Sequence, residues 1–148
     1  MKRFLCLILS ITLLVAISAP VFANEITYVL PTKETDLGDG ITLIEEIIEY
    51  PHARTTARTV LKRGTIKNGD TVLAVIAFQA TFHYDGTTVS VASKTVTQTD
   101  TYEGWNYKQT SFTSSGGTVT LTGKITKLLV LNQPFSLSVT CDKNGNIT

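Results

Sequence analysis

The chain has 148 residues, with 13 lysines and arginines against 12 aspartates and glutamates, and 43% of it is hydrophobic. That length suits one domain behind a leader, and so even a charge balance leaves no long-range field to steer nucleic acid or an anionic membrane surface. Two cysteines and two histidines are too few for a disulfide framework or for a zinc site of ordinary ligand count.

Met1, Lys2 and Arg3 precede an apolar run from Phe4 to Ser18, and Val21 and Ala23 stand three and one residues before a cut after Ala23. This pattern predicts a secretory signal peptide over residues 1–23 and an exported domain over residues 24–148. The alternative is an uncleaved anchor. The run to Phe22 is near the lower limit of a span of about 17–25 residues, and Pro20 interrupts its end. Cys6 stands too early in the run to be a lipid-bearing cysteine. Removing Lys2 and Arg3 leaves 11 bases against 12 acids, a net charge of −1. With no wall-sorting tail after Thr148, the expectation is release or non-covalent retention.

Residues 24–148 contain 24 threonines and only three prolines, Pro31, Pro51 and Pro134. Threonine alternating with Val, Ile or Phe predicts sheets wet on one face, whereas a mucin-like stalk would be proline-rich and without alternation. Glu25 to Leu30 reads as a short strand ended by Pro31, and Thr32 to Gly40 as a polar loop. Ile41 to Tyr50 is two-sided. Ile41, Ile44 and Ile48 fit a helical period, with Thr42 and Glu45 as a capping box, but the β-branched content and Pro51 favour a strand.

Thr55 to Ile66 reads as a strand, joined through Asn68-Gly69 to the most apolar stretch of the chain, Val72 to His83. Asn-Gly between strand-like runs is a hairpin signal, because both central residues need positive φ. The even positions Val72, Ala74, Ile76, Phe78, Ala80 and Phe82 share one strand face that must be buried. The odd positions Leu73, Val75 and Ala77 extend burial to half of the other face. A strand so apolar belongs inside its sheet, away from an edge.

Tyr84-Asp85-Gly86 predicts a turn, Thr87 to Gln98 a strand, Thr99 to Gly104 a connection and Trp105 to Phe112 a further strand. Ser114 to Gly117 turns the chain. Thr118 to Leu131 reads as one long strand in which Gly123 marks a bulge or a close approach. Asn132-Gln133-Pro134 reads as the turn into a last strand ending at Asp142 to Asn146. Turns at this spacing predict an all-β fold, a single antiparallel β-sandwich (Ig-like) of about seven strands, with no second domain.

Candidate chemistry is sparse. His52 and His83 stand without neighbouring ligands, and no nucleophile elbow, phosphate loop or HExxH pattern occurs. Catalytic residues, metal and cofactor are therefore expected to be none, and no enzyme activity is expected. Asp142 to Asn146 resembles a calcium loop only superficially: its glycine is fourth, and no closing Glu follows. Asn146-Ile147-Thr148 is a glycosylation sequon of consequence only in a eukaryotic host. Cys141 shares the apolar parity of Phe135, Leu137 and Val139, which predicts a buried, inert thiol.

Seven acids and one base lie between Glu25 and Tyr50; five bases (Arg54, Arg58, Lys62, Arg63, Lys67) and no acid lie between Pro51 and Lys67. The two blocks should match charge across a strand pair. The alternative is a basic face for an anionic cell-wall polymer or glycan. Trp105 and Tyr107 share parity near Tyr102 and Phe112, either as core or as an exposed strip for stacking on sugars.

Thr81, Phe82, Tyr84, Asp85 and Gly86 form a T-F-x-Y-D-G turn, and Thr140, Cys141, Asp142, Asn144, Gly145 and Asn146 a closing T-C-D-x-N-G-N. With these motifs behind a leader, the chain from about Leu37 onward resembles small secreted β-rich proteins of unassigned function from Gram-positive bacteria. The resemblance implies export and a β fold; it carries no catalytic residues. The expectation is a secreted, non-enzymatic binding or structural module at the cell envelope, or a subunit of a strand-edge-paired homo-oligomer or surface array; a hydrolase with a dispersed site is the remaining alternative.

Overall fold

The computed structural model describes residues 28–50, 56–128 and 131–148. The expected leader and its cut after Ala23, and His52 and Arg54, lie outside the described residues. Within them the protein is all-β, in two antiparallel sheets. The strands are β1 (Tyr28–Val29), β2 (Lys33–Gly38), β3 (Ile41–Glu49), β4 (Ala57–Asn68), β5 (Thr71–Tyr84), β6 (Val89–Thr101), β7 (Asn106–Ser115), β8 (Thr118–Lys127) and β9 (Leu131–Thr140).

The first sheet runs β1-β3-β4-β5-β6, with β2 also on the free side of β3; the second runs β7-β8-β9. β1 and β2 share one flank of β3, and Pro31 stands between them, where a residue without an N–H breaks the ladder. Nearly every hydrogen-bonded neighbour is therefore consecutive in the chain. An immunoglobulin-like sandwich joins its strands as Greek keys; the described strands instead make two meanders, and they number nine rather than about seven.

Several sequence expectations change here. The stretch Thr32 to Gly40 is not a loop: β2 pairs with β3, and Asp39 and Gly40 close the hairpin at φ +55° and +73°. Two positive φ values in a two-residue turn match the twist of the flanking strands, and Asp-Gly supplies them. Ile41 to Glu49 is a strand, with Ile41, Leu43, Glu45 and Ile47 buried. The long strand expected from Thr118 stops at Lys127, because the chain turns at Leu128 (φ +52°). Asn132-Gln133-Pro134 then lies inside β9 instead of forming a turn.

β5 is flanked on both sides, by β4 and β6. A register shift opposite Ile66 and Lys67 places Leu73 as an extra residue, so Leu73 and Ala74 are buried consecutively. Beyond it Ile76, Phe78, Ala80 and Phe82 point inward with no exposure. They meet Val119, Leu121, Ile125, Leu137 and Val139 of the second sheet in one core. Trp105 joins that core at 6% exposure, which rules out an exposed Trp105–Tyr107 strip. It follows the turn at Glu103 and Gly104 (φ +54° and +76°), through which the chain passes from one sheet to the other. The close approach expected at Gly123 is real. A Cβ there would come 2.7 Å from the Tyr107 ring and 3.1 Å from that of Phe135, and the accompanying bulge is at Thr110 on β7.

β6, an edge strand, carries two register shifts against β5 and an inward lysine. Lys94 Nζ donates to the Phe112 carbonyl at 2.8 Å and lies 4.9 Å from that ring's centroid. Bulges and an inward charge are recognised devices for stopping another strand from adding to an edge.

Candidate binding cleft

The inward face of β3 reads Ile41, Leu43, Glu45, Ile47, and that of β4 reads Val60, Lys62, Gly64, Ile66. A carboxylate and an ammonium thus occupy positions that the strand period assigns to the interior. Glu45 is 7% exposed and Lys62 5%, the only charged residues buried among those described. β3 and β4 pair with Glu45 opposite Gly64 and Ile47 opposite Lys62, so the two charges are diagonal neighbours on one face. Lys62 Nζ lies 2.8 Å from Glu45 Oε2, and Lys33 Nζ, from β2, 3.6 Å from Oε1.

These groups form the floor of a cleft of about 550 Å³ between the β1–β2 flank of the first sheet and the free edge of β9. Leu30, Pro31, Ile47 and Ile147 supply apolar wall; Ser136 and Ser138 of β9 and Thr148 of the tail close the far side. A concave, partly apolar site with a few fixed polar groups is the usual form of a ligand seat. The pair is expensive for the fold, because desolvating two ions offsets much of their attraction.

Two further pairs match charge between the blocks across the β3–β4 ladder, as the sequence suggested for neighbouring strands. Arg58 bonds Glu49, and Arg63 faces Glu46 at 3.7 Å across a direct register pair. Burial pulls the Arg58 guanidinium down, but its hydrogen bonds to Tyr84 and Glu49 outweigh that and raise it overall. Three of the five bases in the block, Arg58, Lys62 and Arg63, therefore face carboxylates rather than forming a free basic surface.

Tyr84 leads to the two motifs of the sequence resemblance, and they interlock. Gly86 N–H donates to the Lys143 carbonyl at 2.8 Å, and the Tyr84 ring lies against Gly145. Asp85 accepts from the Thr87 and Thr88 amides at 2.8 and 2.6 Å, and Asp142 from the Asn144 and Asn146 amides, both at 2.8 Å. Hydrogen bonds from Thr88 lead in holding the Asp85 carboxyl below the usual carboxylate range, and those from Asn146 do the same for Asp142. Both carboxylates serve turns, which is the reading expected of Asp142 to Asn146.

His83 is exposed at the end of β5, opposite Ser90, and these two with Asp85 border a polar recess of about 310 Å³. The acid of that trio accepts hydrogen bonds from Thr87 and Thr88 through both of its oxygens, which ties it to the turn. Among the described residues no group of three or more His, Cys, Asp or Glu could hold a metal ion. Cys141 is 1% exposed; burial, then Asp142, pushes its thiol up. A larger recess, about 670 Å³, lies over Trp105 at the hairpin ends, bordered by Leu73, Leu128 and Leu131, and holds no buried charge.

No protein-family model matches the chain, and neither a curated protein nor a solved structure does.

Sequence reasoning offers the bases from Arg54 to Lys67, Lys62 among them, and the Trp105–Tyr107 strip as alternative binding surfaces, but it does not locate the cleft. One signal was present: Glu45 and Lys62 both fall on the apolar parity of their strands. The cleft itself needs β2, read as loop, and the β9 edge, and only the packing of the two sheets brings these together.

Proposed function

We propose that this chain is an exported, non-enzymatic β-sandwich that works as a binding module at the cell envelope, with the cleft beside β9 as its ligand seat. The carrying observation is the desolvated Glu45–Lys62 pair in the cleft floor. An ion pair of this kind adds little net stability over apolar residues of like volume, so its retention at an open cleft argues for recognition. Export rests on the leader pattern of residues 1–23 and on the resemblance to secreted proteins of Gram-positive bacteria. Nothing in this reading needs immunoglobulin-like connectivity; two facing meanders present the same cleft.

The test is retention on purified cell envelope by the chain from Asn24 onward, compared with Lys62→Met and with Arg58→Glu/Arg63→Glu. Retention that is lost with Lys62→Met and kept in the arginine variant supports the cleft. Loss only in the arginine variant assigns binding to the basic strand face for an anionic wall polymer or glycan, and the cleft reading fails.

A further inference from the structure

We infer that the cleft captures an extended peptide segment, which adds as a further strand to the open edge of β9 at Ser136 and Ser138. The inference rests on the cleft being the ligand seat and names what sits there.

The direction of the β9 backbone follows from its ends. Thr140 N–H and C=O both bond Thr148, at 2.7 and 2.9 Å, on the side away from β8. Cys141 N–H, the next residue, bonds Gly117 at 2.8 Å on the β8 side. In an antiparallel strand both backbone groups of alternate residues point to the same side. The β8–β9 register runs unbroken from Thr118↔Thr140 to Lys127↔Leu131. Ser138, Ser136 and Pro134 therefore share the parity of Thr140 and aim their backbone groups at the open edge. The short hydroxyl contacts Thr118–Thr140 (3.0 Å) and Thr120–Ser138 (3.1 Å) agree, because side chains approach most closely at pairs that exchange no backbone hydrogen bonds.

This edge is blunted at both ends and open between them. Pro134 has no N–H to offer, which is where proline is tolerated in a sheet. Thr140 is already paired with the tail. Ser136 and Ser138 remain, each with a donor and an acceptor that meet no backbone partner among the described residues, and both border the cleft. Of the other edge strands, β6 is defended by two bulges and Lys94 and β7 carries the bulge at Thr110, whereas this stretch of β9 has no bulge against β8. Leaving two regular residues open beside a built cleft is what strand addition uses: the backbone gives affinity and the side-chain seats give selectivity.

The occupant's chemistry follows from the walls. Thr148 already holds the lane beside Thr140, so the segment lies beyond it, running along Ser138 and Ser136. Side chains directed inward meet Ile47 and Ile147; those near the mouth meet Lys33, 74% exposed and the one cleft charge facing solvent. An alternating apolar and acidic strand fits.

The experiment uses the chain from Asn24 onward, which carries all nine described strands, and a capped octapeptide of sequence TVEVTVET. Amide NMR is expected to show saturable shifts at Ser136 and Ser138, with their hydrogen exchange slowed at least 10-fold at saturation. A fully N-methylated peptide should bind at least 10-fold more weakly, as should the Ser136→Pro/Ser138→Pro variant. Equal binding of the two peptides, or unchanged exchange at Ser136 and Ser138 under saturation, overturns strand addition. Protection that rises with protein concentration in the absence of peptide assigns the edge to a second copy of the chain and also overturns it. Envelope retention that survives Ser136→Pro/Ser138→Pro but is lost with Lys62→Met leaves the cleft as a ligand seat and removes only the strand.

Discussion

Tyr84 covers Gly145 so closely that a Cβ there would stand 2.4 Å from Cζ of the ring. The two residues are far apart in the chain, and each is the centre of one turn motif. Gly145 also holds φ +86°, a backbone state that L side chains rarely adopt. Gly145→Ala meets both obstacles and is expected to destabilise the protein by about 2 kcal/mol. Gly69→Ala, with φ +55° but nothing within 4 Å of the added methyl, bears the backbone cost alone and should lose less. Urea unfolding of both variants measures the difference, and equal losses would remove the ring contact from the account.

The buried pair makes a prediction that separates stability from function. Glu45→Gln and Lys62→Met each leave an uncompensated buried charge and should cost about 3–5 kcal/mol. Lys33, 3.6 Å from Glu45, softens the loss for Lys62→Met, so Glu45→Gln should be the worse of the two. The double variant Glu45→Leu/Lys62→Met removes both charges and should return to within about 1 kcal/mol of the parent. If it does so and still fails to be retained on envelope, the pair serves binding. If it retains full binding, the cleft reading loses its main support.

What the sequence made legible was whatever depends on neighbours in the chain. The rhythm of Ala74 to His83, the turns at Gly69, Gly86 and Gly116, the parity of Cys141 and the adjacency of the two charge blocks are all local facts, and the structure carries them; Val72 falls out of the rhythm because Leu73 is bulged. β2 was lost because Lys33 to Gly38 is polar, although Asp39-Gly40 announced its hairpin. The turn at Leu128 was lost for the opposite reason: it lies in an apolar run, and a leucine at φ +52° follows no propensity. Pro134 looked like a turn residue because its acceptability in β9 depends on which edge of the strand is free. That is decided by the packing of two sheets and is not written in any single stretch.

Acidification should weaken the interlocked turns. The Asp85 and Asp142 carboxyls both lie below their ordinary value of 3.8 in the folded protein. A lowered folded value means that the unfolded chain takes up protons first as pH falls. The stabilising contribution is therefore complete well above pH 3.8 and is lost as pH drops through that value toward the folded ones. Urea midpoints measured from pH 6 down to pH 2.5 should fall mainly in the lower part of that range. Asp142→Asn should flatten the fall, since Asn144 and Asn146 amides then donate to a group that does not titrate. An identical acid limb in the variant would place the effect elsewhere.

Cys141 offers a readout of opening at that same end of the fold. It sits at 1% exposure, forms a bridge with Ile147, and its thiol is pushed up by burial. Thiolate is the reactive form, so both access and ionisation oppose modification. At pH 8 an aromatic disulfide reagent should react with the folded chain at least 100-fold more slowly than with the chain in urea. Gly145→Ala, by loosening the turn that follows Cys141, should speed the folded-state reaction while Gly69→Ala leaves it unchanged. Fast reaction in the parent would mean that the tail strand of Ile147 and Thr148 is not held against Thr140 and Cys141.

The fit between the sheets is tested at Gly64. A Cβ on this inward position of β4 would come 2.7 and 3.0 Å from the two methyls of Leu137 and 3.0 Å from Leu43 Cδ1. Two effects oppose each other. Glycine inside a regular element costs about 0.5–1 kcal/mol relative to alanine, so propensity alone favours Gly64→Ala. Leucine methyls move readily, but Leu137 and Leu43 are 0% and 2% exposed, and a close-packed core leaves them nowhere to go. Overpacking typically costs about 1–3 kcal/mol, which exceeds the propensity gain. Gly64→Ala is therefore expected to be destabilising, and Leu137→Val should be better tolerated in that background than in the parent, giving a favourable coupling of about 0.5 kcal/mol or more in a double-mutant cycle. A stabilising Gly64→Ala would show that Leu137 is not seated in the notch this glycine leaves.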